Sequence, residues 1–160
     1  MKTTATLLCL AAVLALAAGT GFAQEKPNFS GEWTLNASKS DFGPFPAPAK
    51  FLRKIAHEEP NLHTVTTQAG ERGEFTTELR YTTDGKESVN TIRGQQVKGV
   101  AKWDGSTLVI ESKRTFQDTE LTITEKWRLS EDKKTLSIDT HIAGPQGEAD
   151  LKFVLDRKES

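Results

Sequence analysis

The chain contains one cysteine, Cys9, and one methionine, Met1, among 160 residues. Both fall in the leading segment, so a mature protein without that segment has no disulfide framework, redox pair or thiolate metal site. A dominant charge is lacking too. Lys and Arg number 21 against 22 Asp and Glu, and the basic residues are scattered singly. That argues against nucleic acid or an anionic membrane surface as a partner. Catalytic signatures are equally scarce, with no Gly-x-Ser-x-Gly elbow and no Gly-rich phosphate loop. The three histidines, His57, His63 and His141, have neither His-x-x-x-His nor His-x-Glu spacing, so no metal site is expected. Nothing singles out two of the 22 acids as a glycosidase pair. No cofactor is expected and no enzymatic activity. An enzyme would instead require a cleft that brings a histidine to a carboxylate.

The first residues read as an export peptide: Lys2, an apolar run from Leu7 to Ala18, then Gly21-Phe22-Ala23 before a cut at Gln24. The run is too short and alanine-rich for a membrane anchor, which needs about 20 apolar residues. Lipid attachment at Cys9 is disfavoured by the bulky Leu8. Removing residues 1–23 from 160 leaves 137, read as a single domain over 24–160 in the periplasm or outside the cell, with no stable membrane insertion. Lys2 departs with the leader, so 20 bases face 22 acids, a balance of −2.

Ten short segments then alternate apolar and polar residues, each ended by a turn signal. They are Gly31–Asn36, Phe51–His57, Leu62–Gln68, Glu74–Thr82, Glu87–Ile92, Val97–Trp103, Thr107–Phe116, Glu120–Leu129, Thr135–Ile142 and Ala149–Arg157. Period-two alternation rich in Thr, Val, Ile and aromatics, with no helical period between, predicts an all-β, up-and-down antiparallel β-barrel of about 8–10 strands. Asp84-Gly85 and Asp104-Gly105 read as two-residue hairpin turns, and Arg93-Gly94 as a looser loop. The Asp104-Gly105 turn would set Ala101 opposite Leu108 and Gly99 opposite Ile110. Residues 37–50 break the rhythm with Pro44, Pro46 and Pro48, and read either as an extended connection or as a lid carrying Phe42 and Phe45.

Asn28-Phe29-Ser30-Gly31-Glu32-Trp33-Thr34-Leu35 resembles the opening strand of lipocalins and fatty-acid-binding proteins, the calycin barrels, where a Gly-x-Trp places a tryptophan plug at one end. Lys102-Trp103-Asp104-Gly105, with Leu108-Val109-Ile110-Glu111, is similar to a late hairpin of the fatty-acid-binding type. The whole chain also resembles small exported bacterial proteins described as lipocalin-like. The resemblance implies a barrel able to hold one small apolar or amphipathic molecule. The helix-turn-helix lid of fatty-acid-binding proteins is replaced here by the proline segment, and the C-terminal helix and disulfide pair of lipocalins are missing.

Polar residues on the inward parity are the candidate ligand contacts: Arg53 between Phe51 and Ile55, then His57, and likewise Tyr81, Arg114 and Glu125. Two readings stay open for the charges. Arg114 and Glu125 form an ion pair at a rim, or the interior is wet and takes a ligand, since an unpaired charge in a dry core costs several kcal/mol. Phe42 and Phe45 would gate the mouth. Gly31, Trp33, Trp103 and Trp127 are expected to be structural, and by similarity to lipocalins Arg157 would lie across Trp33. The functional expectation is a non-enzymatic exported barrel holding a small hydrophobic or amphipathic molecule. The alternative is a solid-packed module of the cell envelope that interacts through its surface.

Overall fold

The computed structural model describes residues 26–70, 73–116 and 119–159, leaving aside the Phe116 side chain. The export peptide read at residues 1–23, with Cys9 and the cut at Gln24, lies outside them. Ten strands follow in chain order: β1 (Gly31–Leu35), β2 (Lys50–Glu58), β3 (Asn61–Gly70), β4 (Gly73–Thr82) and β5 (Asp84–Ile92), then β6 (Gln95–Asp104), β7 (Thr107–Phe116), β8 (Thr119–Leu129), β9 (Thr135–Gly144) and β10 (Gly147–Arg157). Among the described residues the helical content is one 3₁₀ turn at Ala37–Lys39, capped by the Asn36 side chain, which accepts the Lys39 N–H.

All ten strands belong to one antiparallel sheet in the order β4-β3-β2-β1-β10-β9-β8-β7-β6-β5. The short β1 joins the two ends of the chain, with Trp33 opposite Arg53 of β2 on one side and Arg157 of β10 on the other. The inward residues at the closed base pack into a core. Phe29, Trp33, Trp127, Leu62, Leu108, Ile110, Leu136, Ile138 and Leu155 are essentially inaccessible to solvent. Each such side chain contributes roughly 1.5–3 kcal/mol relative to exposure. Gly31 explains the Gly-x-Trp pair. A Cβ at this position would collide with the Arg157 guanidinium, and φ is +141°. Without it, Arg157 lies 4.2 Å over the Trp33 ring and donates to the Ser30 carbonyl at 2.6 Å.

The wall is nearly closed. β4 and β5 face each other without a backbone ladder, and a side chain spans the seam. The Asn90 amide accepts the Arg80 N–H at 2.8 Å and donates to the Arg80 carbonyl at 3.0 Å, imitating one rung of a sheet. Tyr81 reaches past the edge to β6, where Gly99 makes room for it; a Cβ there would come within 2.8 Å of the ring.

Three turn assignments need correction. Asp104-Gly105 does not form the turn: Asp104 pairs with Thr107, so Gly105-Ser106 is the two-residue loop. Gly105 at φ +60° suits its first position. Trp103 therefore faces Leu108 and Ala101 faces Ile110, a shift of two residues that keeps every side chain on its expected face. Asp84-Gly85 lies within β5 at a bulge, because β4 and β5 diverge instead of forming a hairpin. The tight turn with two positive φ values is Arg93-Gly94, at +50° and +80°, between the paired Ile92 and Gln95.

Asn90→Ala leaves the Arg80 N–H and carbonyl at the seam without their partner. Urea unfolding should show a loss of about 1–3 kcal/mol, and hydrogen exchange should show faster exchange at the Arg80 amide. Unchanged exchange there would mean that the amide does not hold the seam.

Candidate functional site

Above the packed base the barrel encloses a cavity of about 470 Å³. Its apolar wall includes Phe51, Leu79, Val97, Leu121, Ile123, Ile138 and Phe153, and its polar lining includes Arg53, Arg114, Glu125, Thr66, Thr140 and Gln68. A second hollow of about 220 Å³ under Phe42, Phe45 and Pro46–Pro48 shares Gln68, Phe75, Leu151 and Phe153 with the first. The proline segment therefore stands at the mouth. Phe42 is seated edge-on against Phe153, centroids 5.6 Å apart, whereas Phe45 is 49% exposed. Across the mouth, Arg93 extends from the β5–β6 turn and lies 4.4 Å over the Phe75 ring of β4.

Two arginines face the cavity, and among the described residues neither is in an ion pair. Arg53 lies beside β1, its guanidinium 5.2 Å from the Trp127 ring centroid and 5.3 Å from that of Phe51. Its Nε donates to Thr66 Oγ1 at 2.9 Å, and its Nη1 has no hydrogen-bond partner in the protein. Arg114 stands beside the Tyr81 hydroxyl, and its Nε is likewise unpartnered. Trp127 Nε1 and Thr140 Oγ1 complete this set of shielded polar atoms. Three of the four are N–H groups that can only donate. A buried donor left unmet costs about 1–3 kcal/mol, more when charged.

Burial pushes Arg53 below the ordinary arginine value, the Arg114 charge adds to this, and the Glu125 charge opposes it. A guanidinium nevertheless stays protonated. Burial, reinforced by Glu125, raises the Tyr81 hydroxyl to about 12, so it remains neutral. The Arg114–Glu125 ion pair does not form: among the described residues neither arginine lies within 4.0 Å of the Glu125 carboxylate. Register gives the reason. Arg114 pairs with Leu121, four residues before Glu125 on β8, or roughly 13 Å of strand.

His57, expected at the ligand, is placed in the base. Its Nδ1 accepts the Phe29 N–H at 3.3 Å, so Nε2 carries the proton and donates to Glu59 Oε1 at 3.0 Å. Its ring stacks on Phe29 and Trp103. Glu59 also accepts from Trp103 Nε1 and Thr83 Oγ1, both at 2.9 Å. One carboxylate thus ties the β2–β3, β4–β5 and β6 ends to the N-terminal segment. Trp103 is only half-buried and closes the base from outside Phe29, their centroids 5.8 Å apart. The other histidines bond carboxylates on the outer face, His63 to Glu78 and His141 to Asp150, each at 2.8 Å. The outer hollow containing His141 and Asp150 meets the histidine–carboxylate geometry set for an enzyme, but no serine or cysteine lines it to serve as a nucleophile.

Of the expected contacts, Arg53, Arg114 and Glu125 line the main cavity and Tyr81 supports Arg114 from β4. Phe42 and Phe45 line the hollow at the mouth. Sequence reasoning passed over Thr140, Gln68 and Arg93. Thr140 was within reach, as it continues the inward alternation of Leu136 and Ile138.

No family model matches this sequence, and no curated protein matches it. Solved structures do share its fold. A secretory abundant heat soluble protein from Ramazzottius varieornatus superposes with a TM-score of 0.61 at 13% identity, covering 85% of this chain and 99% of that one. Zebrafish ileal bile-acid-binding protein, crystallised with cholic acid, gives 0.52 at 20% identity over 81% and 98%. The fatty-acid-binding protein of Manduca sexta gives 0.50 at 16% over 81% and 99%. At these identities the likeness is one of fold, an up-and-down antiparallel β-barrel.

Glu59 generates a pH prediction. Burial works to raise its pKa, but the hydrogen bonds from Thr83, His57 and Trp103 outweigh it and hold the carboxyl below its usual range. A lowered folded value stabilises fully above the unfolded pKa of about 4.3 and is lost as pH falls through the folded value. Between about pH 6 and about pH 3 the wild type should therefore lose more stability than Glu59→Gln, read as urea midpoints. Parallel losses would show that this hub does not contribute to acid sensitivity.

Proposed function

We propose that this chain is an exported, non-enzymatic barrel that holds one small amphipathic molecule in its interior. The observation that carries the reading is a cavity of about 470 Å³ into which two guanidinium groups project donors that the protein leaves unmet. A guest with an apolar body and an acceptor-bearing head satisfies both features at once, since few but well-placed polar groups orient an otherwise apolar ligand. Arg53 and Arg114 hold the head, Tyr81 positions Arg114, and Phe42 and Phe45 stand at the mouth. The bile-acid-binding and fatty-acid-binding proteins that share the fold support the reading by analogy. A solid-packed envelope module fits less well, because it would leave neither the space nor the unpaired charges.

Native mass spectrometry of the protein exported by its own host tests both halves. The expected product begins at Gln24 and carries one small-molecule adduct. In Arg114→Leu, occupancy should fall by an affinity loss of about tenfold to a hundredfold, the worth of a hydrogen bond to a charged group. A wild-type polypeptide that is consistently bare would overturn the carrier reading, and a product retaining residues 1–23 would overturn export with cleavage.

A further inference from the structure

Glu125 is the polar group in the cavity that a simple anionic guest leaves unexplained. It faces inward on β8, opposite Ile110 of β7 and Thr140 of β9, and lines the cavity with both arginines. Among the described residues neither arginine comes within 4.0 Å of its carboxylate, Arg114 being held four residues away by register. A plain carboxylate brought to Arg53 and Arg114 would enter a site that already holds a negative charge, and would offer Glu125 nothing. Beside Glu125, the Thr140 hydroxyl is buried and without a partner. Residues directly opposite on neighbouring strands have Cβ atoms about 4.5–5.5 Å apart. The pair thus presents an acceptor-only carboxylate and an idle hydroxyl side by side.

A ligand hydroxyl is complementary to both, donating to the Glu125 carboxylate while accepting from Thr140 Oγ1. An N–H group would serve only the first. The arginine side of the cavity needs the opposite chemistry, since Arg53 Nη1 and Arg114 Nε can only donate. Net charge agrees: two guanidinium groups against one carboxylate leave a single positive charge for the guest to balance.

Resting on the carrier reading, we infer that the guest is a hydroxylated amphiphilic acid, its anionic group held by Arg53 and Arg114 and a hydroxyl held between Glu125 and Thr140. The cavity discriminates against the unhydroxylated acid of the same length. Without the hydroxyl, Glu125 and Thr140 are desolvated by the guest and left unpaired, a penalty that sites built for a ligand hydroxyl use for selectivity.

The test is displacement of a fluorescent probe, dansylaminoundecanoic acid, by dodecanoate, 3-hydroxydodecanoate and 6-hydroxydodecanoate. At least one hydroxy acid should bind the wild type about tenfold or more tightly than dodecanoate. Glu125→Leu should abolish that preference while binding dodecanoate as well as the wild type or better, because a repelling charge has gone. Thr140→Val, which keeps shape and burial, should reduce the preference and provides the comparison should Glu125→Leu fold poorly. A wild type that takes up neither probe nor acids overturns the carrier reading itself. Equal affinity for dodecanoate and both hydroxy acids, or a preference that survives both substitutions, overturns this inference and leaves the carrier reading standing.

Discussion

Ring closure through β1 is the constraint from which the rest of the structure follows. A ten-strand meander is an open sheet until its first strand accepts both the second and the last, and β1 does so with five residues. The same step sets Trp33 between Arg53 and Arg157. One arginine covers the tryptophan at the base, made possible by the missing Cβ of Gly31. The other is lodged over Trp127 at the cavity. Structural plug and candidate ligand contact are thus neighbours on one rung of the sheet, and neither position is set independently of closure.

Closure at β1 leaves the opposite side of the ring to be joined by other means. Strands β4 and β5 lack a ladder, and Asn90 supplies one rung through its side chain. Below, Glu59 gathers donors from three elements and fixes His57 in one tautomer. Above, the proline segment and the Arg93–Phe75 contact frame the mouth. The barrel is therefore firm at its base and seamed along one side, while its middle encloses charges of both signs that form no ion pair with one another. Folding alone gives no return for burying Arg53, Arg114 and Glu125 apart from one another.

Much of this architecture is legible in the sequence, because a strand's side-chain period of two ties hydrophobic pattern to face. Strand number, the inward tryptophans and the inward parity of Arg53, Arg114 and Glu125 all follow from alternation. Parity reports a face and not a depth, and the misreadings come from that. His57 has the same parity as Arg53, yet lies four residues further down β2, in the base. The β6–β7 register was displaced by two residues because an even displacement changes no face. Whether Arg114 and Glu125 pair depends on that same quantity, register along β7 and β8, which alternation leaves undetermined. The β4–β5 seam is hidden for another reason: Asp84-Gly85 has the composition of a tight hairpin, and only the divergence of the two strands converts it into a bulge. Arg93 is hidden because a turn residue reaching over an aromatic ring leaves no periodic trace.

Arg53 and Arg114 present unmet donors and a net positive charge to the cavity. Titration calorimetry with decanoate and with decanol, equal in chain length and different in head charge, tests this most directly. One-to-one binding of decanoate at least about tenfold tighter than decanol is the predicted result. Equal affinity for the two would contradict it, showing that the guanidinium groups are already neutralised.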